Sequence, residues 1–114
     1  MTVETIAGMP LNKSILDGYL SKLVNKFFKI LPMRENNEET LTTYMQSLQL
    51  ELLGLQALIT VIKADADYMT LLSILQYLID CSDCSISVVK REVFRAVSIC
   101  NRMRSKYTTK EDCL

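Results

Sequence analysis

Thr40–Lys63 reads TLTTYMQSLQLELLGLQALITVIK, and the spacing of its apolar residues decides the fold. Leu41, Met45, Leu48, Leu52, Leu55, Ile59 and Ile62 alternate steps of four and three, the a/d seam of an amphipathic helix over three heptads. Tyr44 and Leu58 widen that stripe. Leu50, Leu53, Ala57 and Val61 fall on the opposite side when each residue advances the helix by about 100°, and Gly54 sits beside them. A helix apolar on two sides is either central in its own fold or covered by another chain. Glycine inside a helix costs about 1 kcal/mol relative to alanine, so Gly54 suggests close approach of another backbone. Leu50, Leu53, Gly54, Ala57 and Val61 are therefore the candidate interface. Burial against the third helix or the N-terminal leader would account for the same residues.

Working towards the N-terminus, Pro32–Glu39 reads as a loop. Asn36 or Asn37 is placed to cap the helix that follows, with Glu39 completing a capping box from Asn36. Before it, Ile15, Leu16, Tyr19, Leu20, Leu23, Val24, Phe27, Ile30 and Leu31 keep helical spacing. Pro32 disfavours helix at Leu31 and is expected to end the element there. Ser14 or Asn12 can cap its start. Residues 1–12 form a polar leader.

Towards the C-terminus, residues 63–67 contain neither Gly nor Pro. Asp65 or Asp67 caps a third helix here, or the second helix continues with a bend. Tyr68–Asp80 is apolar apart from Thr70, Ser73, Gln76 and Asp80, so it is expected to be nearly buried. Residues 81–85 make a turn, with Asp83 or Ser85 as cap. Ile86, Val89, Val93, Val97 and Cys100, widened by Ala96 and Met103, give the core stripe of a last helix. The period is three to four rather than two, which outweighs the strand preference of its valines.

These readings predict an all-α protein, a compact bundle of about four mostly antiparallel helices over approximately 14–31, 40–63, 67–80 and 86–106. One domain spans 13–107 and a frayed tail spans 108–114. The chain of 114 residues suits one domain, and its apolar fraction of 49% can supply a core.

Formal net charge is zero, with 13 basic and 13 acidic residues, which argues against a dominant nucleic-acid or membrane-surface role. The charges are segregated, however. Residues 35–83 hold eight acids against Lys63 alone. Lys22, Lys26 and Lys29 line the first helix, and Arg91, Arg95, Arg102 and Lys106 line the last. If those helices are neighbours, the two stripes could merge into a phosphate-binding strip, the alternative functional reading. A solvated face complementing the acidic middle is the simpler and preferred account of them.

Glu51 and Arg104 stand out because spacing puts each on the core side of its helix. A buried charge needs a partner or an exit to water, so Glu51 is expected either to pair, with Lys90 or Arg104 as candidates, or to sit at the rim of the core. Cys81, Cys84, Cys100 and Cys113 do not meet a zinc-ribbon spacing. They are expected to be reduced thiols acting as small hydrophobes, with no metal or cofactor. There is no histidine, no Gly-rich phosphate loop and no nucleophile elbow, so no enzymatic activity is expected. No secretory signal or membrane-spanning run is visible. The expectation is a cytoplasmic, regulatory protein–protein interaction module that associates with itself or another protein.

Overall fold

The computed structural model describes residues 2–6, 9–58, 62, 64–81 and 83–112, with side chains described over 15–57, 62, 64–81 and 83–106. Two strands, β1 (Thr2–Ile6) and β2 (Met9–Asn12), precede five helices: α1 (Lys13–Phe28), α2 (Ile30–Glu35), α3 (Leu41–Leu58), α4 (Ala66–Asp80) and α5 (Ile86–Asp112). The helices form an all-α bundle. In place of a plain leader, β1 and β2 pair antiparallel, with Thr5 opposite Pro10 and Ile6 opposite Met9. Pro10 lacks an N–H, which a two-stranded ladder tolerates because each strand has one unpaired edge.

The first predicted helix is two. Pro32 acts four residues upstream of where it stands. Its ring would clash with the carbonyl of Phe28, and it has no N–H to offer that carbonyl. The helix therefore breaks at Phe28–Lys29, and Pro32 falls in the first turn of α2, where a missing donor costs nothing. The short helix α2 then ends on the asparagines expected to start α3. Asn37 takes the left-handed conformation with φ 51°. Glu38 N–H donates to Met33 C=O at 3.0 Å and Asn37 N–H to Arg34 C=O at 3.1 Å. That is a Schellman ending, which Asn can adopt at modest cost.

The second and third helices are separate. Asp65 has extended backbone, and its carboxylate accepts from the N–H groups of Asp67 at 2.8 Å and Tyr68 at 3.2 Å. It is the N-cap of α4, filling two of the donors a helix start leaves open. Ser85 caps α5 through the Val88 N–H. The last helix continues past the expected end at Lys106 to Asp112. At about 1.5 Å per residue its 27 residues span about 40 Å, comparable with the longest extent of the molecule, 46 Å.

The central element is α5, against which α1, α2 and α4 all pack. Leu16, Leu20, Leu23 and Phe27 of α1 meet Val89, Val93, Ala96, Cys100 and Met103 of α5 in one core. The seam of α3 holds as far as the described side chains go: Leu41, Met45, Leu48 and Leu52 are buried, Leu55 is half-buried and Ile62 is buried. Ile59 lies outside the described residues. The α3 helix packs on α4 and α2. It is a flank of the bundle, so its second face is not needed by the core.

Candidate functional site: the outer face of α3

Leu50 is 70% exposed and Leu53 is 45% exposed. Gly54 and Ala57 are exposed with them, while Val61 lies outside the described residues. A Cβ placed on Gly54 would meet no atom within 4 Å. Packing within the chain therefore gives no reason for glycine there. Over its 18 residues α3 carries one charged side chain, Glu51. The outward face of Thr43, Gln46, Ser47, Leu50, Leu53 and Ala57 has none, against a usual quarter to a third of a soluble surface.

The uncharged face continues onto α4. Gln49 Nε2 donates to Gln76 Oε1 at 2.7 Å, and Gln56 Nε2 to Met69 Sδ at 3.0 Å, so neutral amides close the α3–α4 seam. Met69 is 50% exposed beside it. The expectation that this third helix is nearly buried fails at Met69 and Tyr77, which lie off the faces of α4 that pack on α3 and α5. Beneath the surface, Tyr68 is fully buried and its hydroxyl donates to Leu52 C=O at 2.7 Å, fixing α4 to α3.

Glu51 lies at the border of this face, with its side chain 39% exposed. It is paired, but with neither expected partner. Lys26 Nζ lies 2.8 and 2.9 Å from its two oxygens, and the Tyr19 hydroxyl donates to it at 2.8 Å. Both partners come from α1, the helix beside this flank, whereas Lys90 and Arg104 are carried by α5. Desolvation pushes the Glu51 pKa up, but hydrogen bonds from Lys26 and Tyr19 outweigh it and hold the carboxyl below its ordinary value. Arg104 is half-buried and bonds Asp17 of α1 at 2.9 Å.

Most of the other candidate basic residues are also engaged. Lys29 lies over the Tyr44 ring, 5.2 Å from its centroid. Arg91 and Arg95 flank the buried Glu92 at 3.0 and 3.2 Å. Arg102 bonds Asp67 at 2.6 Å, and Lys106 reaches Asp65 at 2.8 Å and Asp67 at 3.4 Å. Lys22 is exposed. Lys26 and Lys29 thus turn to α3, and Arg102 and Lys106 turn to the start of α4. Among the described residues these contacts tie Lys26, Lys29, Arg102 and Lys106 to the middle of the chain, hold Arg91 and Arg95 to Glu92 of α5, and do not join the two stripes to each other.

Two features had no forewarning in the spacing. Phe28 and Phe94, both exposed, meet edge to face with centroids 5.8 Å apart. Cys81 and Cys84, expected as thiols, are joined in a disulfide. The tight turn between α4 and α5 brings their Cα atoms to 5.4 Å, within bridging range. Cys100 is a free, fully buried thiol, its pKa pushed up to about 12 by desolvation. Cys113 lies outside the described residues. Among the described residues no group of His, Cys, Asp and Glu is arranged to hold a metal ion, and no helix is long and apolar enough to cross a membrane.

No protein-family model, curated protein or solved structure matches this chain.

Proposed function

We propose that this protein is a non-catalytic interaction module of regulatory type that self-associates through the outer face of α3. One observation carries the reading: a helix on the flank of the bundle exposes Leu50 and Leu53 on a face without charge. Exposed contiguous apolar surface of this kind marks interfaces. A second copy is the occupant that charge favours. An uncharged face set against itself in two-fold symmetry brings no like charges together and leaves no ion without a partner. An acidic or basic partner would have nothing to recognise there.

Size adds a condition. A stable interface buries about 800 Å² on each partner. One helix face about 27 Å long and roughly 10 Å wide falls short of that. Met69 and the α4 flank must therefore take part. The reading assumes a cytoplasmic protein. Nucleic-acid binding has less support, since most candidate cations are engaged by acids of the same chain.

The test is solution mass by light scattering across concentration, for the wild type and Leu53→Asp. The expected result is a wild-type dimer that Leu53→Asp converts to a monomer with unchanged helicity. A wild type that stays monomeric at high concentration overturns the proposal.

A further inference from the structure

The turn from α4 to α5 holds a pair of cysteines in unequal settings. Cys81 is the C-cap of α4 and is half-exposed. It lines a cleft of about 270 Å³ together with Arg34, Glu38, Glu39, Leu41 and Leu78. Cys84 is only 8% exposed and belongs to the core. It stands two residues before the first residue of α5, and its carbonyl accepts from the Arg34 guanidinium. The Tyr77 hydroxyl lies 3.9 Å from Cys84 Sγ, whereas the Asp83 carboxylate lies 3.9 Å from Cys81 Sγ.

We infer that Cys81–Cys84 is a reversible dithiol–disulfide couple, attacked at Cys81 by an incoming thiol and releasing Cys84. Access favours Cys81, which is the more exposed sulfur and lies in that cleft, over Cys84, which borders a separate shallow hollow beside Arg34 and Ser85 but is itself buried. The surroundings select the same direction. Burial opposes a thiolate at Cys84, while a guanidinium on its own carbonyl and the positive end of a 27-residue helix favour it. A carboxylate beside Cys81 disfavours charge there. The better leaving sulfur is thus the one expelled when the accessible sulfur is attacked.

The reductant is a dithiol. Its first thiolate bonds to Cys81 Sγ, the Sγ–Sγ bond breaks, and the electron pair leaves on Cys84 Sγ, which takes the proton the attacking thiol gave up. The second thiol of the reductant then attacks the reductant sulfur of the mixed disulfide. Cys81 leaves and takes the second proton. Two electrons and two protons enter the protein, and the reductant departs as a disulfide. Disulfides in the cytoplasm are commonly transient and redox-sensing. The inference does not depend on self-association through α3.

The test uses the full chain equilibrated in native buffer with mixtures of reduced and oxidised dithiothreitol, then alkylated and mapped by peptide mass. Cys100, fully buried, reports any unfolding. The expected result is that Cys81 and Cys84 become alkylated together while Cys100 stays unmodified. Brief exposure of the wild-type disulfide to glutathione, a monothiol, followed by acid quenching gives the direction: the mixed disulfide should form on Cys81 at least about tenfold more than on Cys84, with the other cysteine left as a free thiol. Reduction only when Cys100 also reacts, thiols at both positions in fully oxidised buffer, or glutathione found equally on Cys81 and Cys84 would overturn the inference.

Discussion

Lys26 donates to both carboxylate oxygens of Glu51, at 2.8 and 2.9 Å, and ties α1 to α3 at the border of the exposed apolar face. The pair is more than a third exposed on both sides, so solvent screening keeps its contribution below about 1 kcal/mol. Its pH dependence is nevertheless defined. The Glu51 carboxyl lies below its ordinary 4.5 in the folded chain. Its stabilisation is complete above the unfolded pKa and is lost as pH falls through the lower folded value. Glu51→Gln should therefore lower the melting temperature slightly at pH 7, and the gap from wild type should close as the pH falls through the lowered folded value. A gap that widens on acidification would contradict the pairing.

Asp65 does two jobs that substitution can separate. It caps α4 through two N–H groups, and it accepts from Lys106 of α5 at 2.8 Å. Asp65→Ala removes both and should cost about 1–2 kcal/mol in urea unfolding. Asp65→Asn keeps a capping oxygen and loses only the charge on Lys106, so it should cost less than half as much. Equal losses would show that the ion pair, not the cap, fixes the start of α4.

What the chain's spacing made legible was local. The stripe from Leu41 to Leu52, the helical period of the last segment and an aspartate cap at Asp65 or Asp67 all follow from residues within a turn or two of each other, though the choice of Asp65 over Asp67 does not. The misreadings were of two kinds. Pro32 and Asn37 were assigned the right chemistry at the wrong place: the proline broke the helix at its i−4 carbonyl, and the asparagine closed α2 instead of opening α3. The partner of Glu51, the Phe28–Phe94 contact and the joining of Cys81 to Cys84 depend on which elements lie side by side or how a turn closes, and helical periodicity does not encode that. The same limit left two explanations open for Leu50 and Leu53. The central position fell to α5, so the core does not cover them.

Tyr68 offers a test of the α3–α4 seam that leaves the outer face intact. Its ring is fully buried and its hydroxyl donates to the Leu52 carbonyl at 2.7 Å. Tyr68→Phe keeps the ring volume and removes one hydrogen bond, for an expected loss of about 0.5–1.5 kcal/mol. Tyr68→Ala empties a core site and should cost about 3–5 kcal/mol, as large aromatic truncations do. Chemical denaturation resolves the two. Because neither change touches Leu50 or Leu53, the phenylalanine variant should keep the wild-type oligomeric state.

Gly54→Ala distinguishes the folding of one chain from the association of two. The position lies inside α3, and an added Cβ meets nothing within 4 Å. Alanine should therefore stabilise the isolated chain by about 0.4–1 kcal/mol, since the unfolded state loses freedom and the helix gains propensity. If a second copy lies against this face, the added methyl stands where the two backbones approach. The dimer should then weaken even as each chain becomes more stable. Thermal unfolding at low concentration and sedimentation across concentration read the two effects separately. Stabilisation with unchanged association would place Gly54 outside the contact and move the close approach towards Leu50. Stabilisation with weakened association would identify glycine as a requirement of the pairing, explaining a residue that the fold of one chain does not need.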